Sequence, residues 1–316
     1  MRPSSFPSAR LPMALAPWYA LSALVTIACW ALAVRRSRRA RRAWEGGSGR
    51  ALTRAGGGSA TKGGLVSGAG SSPRTHPRDT DLTFDEGAHA YYVRGRRLRS
   101  VTDVVAAAFP TFDAESVAER IVRSHRSQSD PTYAYYGMSQ ADVLASWQGK
   151  GDGAQALGTA LHGEIERALA GEELGPEASR VGPEFDHFRA YRRDYAGHTV
   201  VRTEWRIYDS EKGLAGTVDA VFRDLEGRYV LVDWKRSREI TRENRWEHGY
   251  GPVAHLPHTN YWHYALQLNL YASILERHYG IAIDAMRLVV LHPSNASYDL
   301  HDVPRLTAEV EALLPA

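Results

Sequence analysis

The chain has 316 residues, 43% hydrophobic and 24% charged, a globular composition that excludes wholesale disorder and fibrous repeats. One cysteine, Cys29, excludes an internal disulfide framework and any cysteine-clustered zinc or iron–sulfur site. The net charge of +3 joins two unlike parts: residues 1–80 hold 13 Lys/Arg against Glu45 and Asp79, a balance of +11, and residues 81–316 hold 26 basic against 34 acidic residues, a balance of −8.

Residues 11–34 carry no charge and include Trp18, Tyr19 and Trp30. As a helix they would reach about 36 Å, against a hydrocarbon core of about 30 Å. Six arginines follow within 35–42. The positive-inside rule then puts the remainder of the chain in the cytoplasm or an equivalent compartment. Residues 1–44 therefore read as a membrane anchor; an organelle presequence, mitochondrial for instance, and a mispredicted first exon are the competing readings. Residues 45–80 are rich in Gly and Ser with almost no large apolar side chain, the composition of a flexible linker. The folded domain is expected over 81–316.

Residues 90–99 predict two short strands around Arg94-Gly95. Ser100 or Thr102 then caps a helix that Pro110 stops. A second helix is expected over 113–126, an irregular stretch over 127–153 with a short helix at 139–148, and a clear amphipathic helix over 154–170 ended by Gly171. Another helix covers 182–195. The period then changes to two: 199–209, 214–224 and 229–237 read as three antiparallel strands separated by turn signals. A long helix (260–280), a buried strand (285–293), a short strand (297–303) and a last helix (304–314) complete the series. The order α, β-β-β, α, β implies an α+β fold about one mixed sheet flanked by helices, with helical additions before it.

The sharpest feature is Asp219 on the second of the three strands, followed by Asp233-Trp234-Lys235 on the third. Strand periodicity puts Asp233 and Lys235 on one face and Trp234 on the other, and the turn between the strands brings Asp219 beside them. Two carboxylates and a lysine at the end of an apolar strand call for a cation, and Mg²⁺ or Mn²⁺ takes oxygen ligands readily. Such an ion polarises a phosphoryl oxygen and acidifies water, while a lysine orients the water. The bland alternative is an exposed Asp/Lys pair on a hairpin. His162 and Glu166 share a helix face, as do Gln267 and Tyr271, and Glu204 lies on the strand before Asp219.

In this order the residues resemble the RecB-type branch of the PD-(D/E)XK nuclease superfamily. The matching motifs are Gly158-Thr159-Ala160-Leu161-His162, Ala215-Gly216-Thr217-Val218-Asp219, Val232-Asp233-Trp234-Lys235 and Gln267-Leu268-Asn269-Leu270-Tyr271. From Ser100-Val101-Thr102 onward the chain also looks like the mitochondrial genome maintenance exonuclease group. The resemblance implies a restriction-endonuclease-like core, metal ligands at His162, Asp219, Asp233 and the main-chain carbonyl of Trp234, and a catalytic Lys235. It implies DNA contacts from Gln267 and Tyr271, and leaves Glu166 and Glu204 as candidates for a second metal or for support of the ligands. It also implies a metal-dependent DNA nuclease, an exonuclease on single-stranded ends or flaps being favoured. A structure-specific endonuclease is the alternative within the class; a catalytically silent DNA-binding or tethering module is the rival outside it. The four-cysteine cluster of some RecB-type nucleases is missing, so no iron–sulfur cluster is expected.

A domain of balance −8 must bind DNA through local positive charge. Arg236, Arg238, Arg242 and Arg245 cluster after Lys235, and Arg94, Arg96, Arg97 and Arg99 on the early hairpin. Trp246, Tyr250, Tyr261, Trp262 and Tyr264 flank the first cluster, and those not in the core would stack single-stranded bases. His301-Asp302 reads as a strand end, and His255, His258 and His263 lack ligand spacing for zinc.

Overall fold

The computed structural model describes residues 75–314; the apolar stretch 11–34, the arginine run and the linker as far as residue 74 lie outside the described residues. Among the described residues no helix is long and apolar enough to cross a membrane. Three strands come first, Leu82–Asp85 (β1), Ala90–Val93 (β2) and Arg96–Ser100 (β3), followed by the helices Val101–Ala107 (α1), Ala114–Arg123 (α2), His125–Ser129 (α3), Gln140–Ala170 (α4) and Gly182–Asp194 (α5). Thr199–Asp209 (β4), Leu214–Arg223 (β5) and Tyr229–Lys235 (β6) then precede Asn260–His278 (α6), Ile283–Val290 (β7), Asp299–Asp302 (β8) and Thr307–Leu313 (α7).

The strands form one mixed sheet of eight in the order β1-β2-β3-β5-β6-β7-β8, with β4 also paired to β5. The β3–β5 and β6–β7 pairs are parallel and the others antiparallel. This is the mixed α/β architecture expected from the sequence, a restriction-endonuclease-like core. Strand β6 is buried on both faces, as its unbroken apolar run requires. Val230, Val232 and Trp234 pack with Leu161 and Ile165 of α4 and Phe185, Phe188 and Tyr191 of α5. Leu231 turns the other way, into a cluster with Leu266, Leu270 and Ile274 of α6.

Four boundaries differ from the sequence reading. The irregular stretch and two helices expected over 127–170 are instead mostly the single 31-residue α4. Gly149, Gly151 and Gly153 signal a break, but each costs a helix only about 1 kcal/mol relative to alanine. Packing at both ends outweighs that: Val143 and Trp147 bury against Ala118 and Tyr135, while Leu161 and Ile165 bury against the sheet. The helix expected over 113–126 is divided at Ser124, whose side chain accepts from the Ser127 N–H and starts α3. Strand β1, too short to stand out in the pattern, pairs with β2. The fold also starts before the expected boundary at Asp81. Asp79 accepts hydrogen bonds from Arg202 (2.9 Å) and the Trp205 indole (3.0 Å), and the Arg78 guanidinium lies 4.0 Å from the centre of the Tyr208 ring.

The β2–β3 turn has φ of 50° at Arg94 and 78° at Gly95, the left-handed pair of a two-residue hairpin. It sends β3 alongside the first residues of β5, Leu214 and Ala215. Strands β5 and β6 pair only from Ala220↔Val232 to Arg223↔Tyr229. They part at the next positions, Asp219 and Asp233, and that parting makes the site.

Candidate active site

At the parting, Asp219 replaces the lost ladder bond with its side chain: its Oδ2 accepts the Trp234 N–H at 2.9 Å. Asp233 is 2% exposed, with Oδ2 lying 2.7 Å from Lys235 Nζ. The ammonium is the charged partner of this buried oxygen. The ammonium also lies 4.7 Å from the centre of the Tyr264 ring. Between the two, the Trp234 indole sits in the core, edge-on to Phe188 (5.5 Å) and Tyr191 (5.3 Å). Its side chain fixes the strand while its main chain faces the site.

Helix α4 delivers His162 to the same place. Nε2 lies 3.0 Å from the Trp234 carbonyl. A carbonyl only accepts, so Nε2 donates. Nδ1 then faces two carboxylates, Asp219 at 3.6 Å and Glu204 at 3.7 Å. Glu204 has φ of 43°, a left-handed conformation in the middle of a strand that costs a non-glycine residue about 1–2 kcal/mol. Ligand atoms of His162, Glu204 and Asp219 all lie within 4.8 Å of one another, close enough to hold a metal ion.

The cluster holds protons where a cation belongs. Burial disfavours charge on His162, but Asp219 and Glu204 outweigh it and push the imidazole up to about 9. Burial raises Asp233 to about 6 even though Lys235 opposes the shift, and it raises Asp219 too, against His162 and Lys235. Lys235 is disfavoured by burial yet held well above the usual lysine value by Asp233 and Asp219, so it is a cation at neutral pH. One imidazole, the carboxylates of Asp219, Asp233 and Glu204 and a main-chain carbonyl form an oxygen-rich donor set. Such donors fit a hard divalent ion such as Mg²⁺ or Mn²⁺.

The other sequence candidates separate into near and far. Gln267 Nε2 donates to Tyr271 Oη at 2.9 Å, and the tyrosine, buried, lies against Gly216. A Cβ on Gly216 would stand 2.4 Å from Tyr271 Cε1, so the glycine in this motif is there to let the ring approach. Glu166 is exposed and outside the ligand group, its carboxyl raised by partial burial and by the neighbouring charge of Glu204. Arg236 lies in an ion pair, its Nε 2.7 Å from Glu184 Oε1, with 15% and 3% of the two side chains exposed. The buried acid holds the guanidinium in place. Arg238 is exposed. Tyr261 and Tyr264 are core residues, whereas Trp246 and Tyr250 are 91% and 56% exposed. His258 and His263 pack with Phe109, and His255 pairs with Glu309. His301 pairs with Asp299 at the end of β8. The sequence reading missed Arg206, although strand periodicity places it on the face of Glu204. It missed Phe84, His89 and Tyr91 because no motif marks them.

Two carboxylates and a lysine where a central antiparallel strand pair separates, with a helix-borne histidine across the gap, define a restriction-endonuclease-like hydrolase core. The chain belongs to the PD-(D/E)XK nuclease superfamily, whose sequence profile matches residues 142–312. No curated protein matches the chain. Among solved structures, the crystal structure of SSO0001 is similar over 70% of this chain and 74% of its own, at 14% identity and a TM-score of 0.30.

Proposed function

We propose that this chain is a divalent-metal-dependent deoxyribonuclease of the RecB-type branch, similar to the mitochondrial genome maintenance exonucleases, acting on single-stranded ends or flaps. The observation that carries the reading is the convergence of His162, Glu204, Asp219, Asp233, Lys235 and the Trp234 carbonyl where β5 and β6 separate. His162, Asp219, Asp233 and the Trp234 carbonyl would hold the ion, with Glu204 closing the ligand group. When bound, Mg²⁺ or Mn²⁺ supplies Lewis acidity toward a phosphoryl oxygen and an acidified water. Lys235, kept protonated by two carboxylates, donates hydrogen bonds and offsets charge developing on the phosphate; a cationic ammonium cannot take a proton from water. The Trp234 indole, locked in the core, holds this strand end still while substrate is bound. Gln267 and Tyr271 present an amide and a hydroxyl beside Glu204, suited to the sugar–phosphate backbone. Residues 1–44 would tether this unit through the linker.

The test is a single-stranded oligodeoxynucleotide labelled internally and blocked at its 5′ end, its 3′ end or both. An exonuclease with Mg²⁺ or Mn²⁺ degrades at least one of the singly blocked strands, which one giving its polarity, and spares the doubly blocked one. Cleavage of the doubly blocked strand would instead show an endonuclease. No cleavage with either metal would remove the proposal.

A further inference from the structure

Beside the metal-ligand group lies a cleft of about 280 Å³ that the superfamily core alone does not build. One side is that core: Glu204, Thr217, Gln267 and Tyr271. The opposite side is Phe84, His89 and Tyr91, from the β1–β2 hairpin that precedes the matched residues. The hairpin is anchored there by a hydrogen bond between Tyr91 Oη and Thr217 Oγ1 (3.0 Å) and by the pairing of β3 with β5. Phe84 is only partly buried, with the His89 ring edge-on at 5.1 Å and the Tyr91 ring at 4.7 Å. His89 is exposed and has φ of 47°, a left-handed conformation that costs energy in a non-glycine residue. Arg206 is exposed and lies over the Phe84 ring, 4.9 Å from its centre, with the Glu166 carboxyl within its electrostatic reach. Its neighbour on the same strand face, Glu204, is the candidate metal ligand.

An aromatic wall, an exposed cation and a hydrogen-bonding amide, all lining one small cleft, have a common ligand chemistry. A flat base stacks on one ring face, with a second ring at its edge, and the attached phosphate meets the guanidinium. The volume lies near the roughly 300 Å³ lower end of small-molecule sites, a size that suits one nucleotide. Resting on the nuclease reading above, we infer that the β1–β2 hairpin forms a subsite for one unpaired nucleotide next to the scissile phosphate, the base stacking on Phe84 with the edge-on His89 beside it and the phosphate held by Arg206. The hairpin is then the part that selects single strands. Stacking carries no sequence code, so every base should be accepted.

The test compares two probes on the full chain, a fluorescently labelled 12-unit oligothymidylate and a 12-unit strand of the same phosphate backbone with abasic units. Binding is read by fluorescence anisotropy with Ca²⁺ present, so the result does not depend on cleavage. Phe84→Ala should weaken binding of the oligothymidylate about ten-fold, the loss of one base–aromatic stack, and barely move the base-free strand. Phe84→Leu keeps an apolar side chain under Arg206 and should lose the same preference, which guards against an alanine variant that fails to fold. Arg206→Gln should weaken both probes and lower the slope of log affinity on log salt by about one contact. Equal losses on both probes in the Phe84 variants, or none, would overturn the subsite. The nuclease reading stands or falls separately, on cleavage of the same oligothymidylate by the unaltered chain with Mg²⁺ or Mn²⁺.

Discussion

The strand pair β5–β6 and the hairpin β1–β2 meet at one cleft but are built on opposite terms. At the strand pair, charge is buried and opposed by charge or by hydrogen bonds: Asp233 with Lys235, Asp219 with the Trp234 N–H and His162, Arg236 with Glu184. At the hairpin Phe84, His89 and the cation are partly open, and Arg206 rests on the Phe84 ring. The difference separates chemistry from selection. Buried, opposed charges fix protonation states and aim for a cation, whereas an open aromatic wall is suited to a base that must enter and leave.

If that division is right, substitutions in the strand pair should damage catalysis and stability, and those in the hairpin should alter substrate preference. The largest effect is expected from Asp219→Ala, Asp233→Ala and Lys235→Ala, each lowering kcat by about a hundred-fold or more, the scale seen when one group aimed at developing charge is removed. Lys235→Ala has a second consequence. Without the ammonium the Asp233 carboxyl rises above its present value of about 6 and binds a proton at neutral pH. Metal affinity of this variant, measured by calorimetry, should therefore fall at pH 7 and recover toward pH 9; an affinity that does not change with pH would contradict the charge coupling.

Next come losses of stability. Trp234→Ala should cost about 3–5 kcal/mol in denaturant unfolding, as expected for an aromatic side chain removed from a packed core. Arg236→Ala, which leaves the 2%-exposed Glu184 without its ion pair, should cost about 3 kcal/mol, the lower end for breaking a buried pair. A loss of DNA affinity with unaltered stability would instead restore Arg236 as a surface contact. Gly216→Ala forces a methyl group toward the Tyr271 ring and should cost about 1–3 kcal/mol.

How much of this the sequence reveals follows from the same division. Asp219, Asp233 and Lys235 are legible because strand period and a short turn suffice to bring them together. His162 is legible only through its motif, since helical spacing pairs it with Glu166, whereas the folded chain turns it to Asp219 and Glu204. Glu204 reads as a lone acid because its left-handed φ leaves no mark in the sequence. The continuous α4 is hidden by three glycines whose local cost is smaller than the packing that overrides it. The hairpin wall is invisible because Phe84 and His89 acquire a role only when β3 joins β5, more than a hundred residues later.

A smaller effect concerns protons. His162, held near 9 by Asp219 and Glu204, is protonated at pH 7 and must lose that proton to bind an ion through Nδ1. Metal binding at pH 7 should release about one proton more in the unaltered chain than in His162→Ala, and the excess should vanish above pH 9. Calorimetry in buffers of different ionisation enthalpy gives the number. In the metal-free chain the same raised value stabilises the fold fully below the unfolded reference near 6.5 and is lost as pH rises through about 9. The stability difference between wild type and His162→Ala should shrink over that window.

The central claim is that the parting of β5 and β6 is a metal-dependent phosphodiesterase site. It is tested most directly by incubating the unaltered chain and Asp233→Asn with an end-labelled single-stranded oligodeoxynucleotide in Mg²⁺, in Mn²⁺ and in chelator. Degradation by the unaltered chain is expected with either metal, none in chelator, and at most a few per cent of that rate from Asp233→Asn. Cleavage that survives chelation, or an Asp233→Asn chain as active as the original, would contradict it.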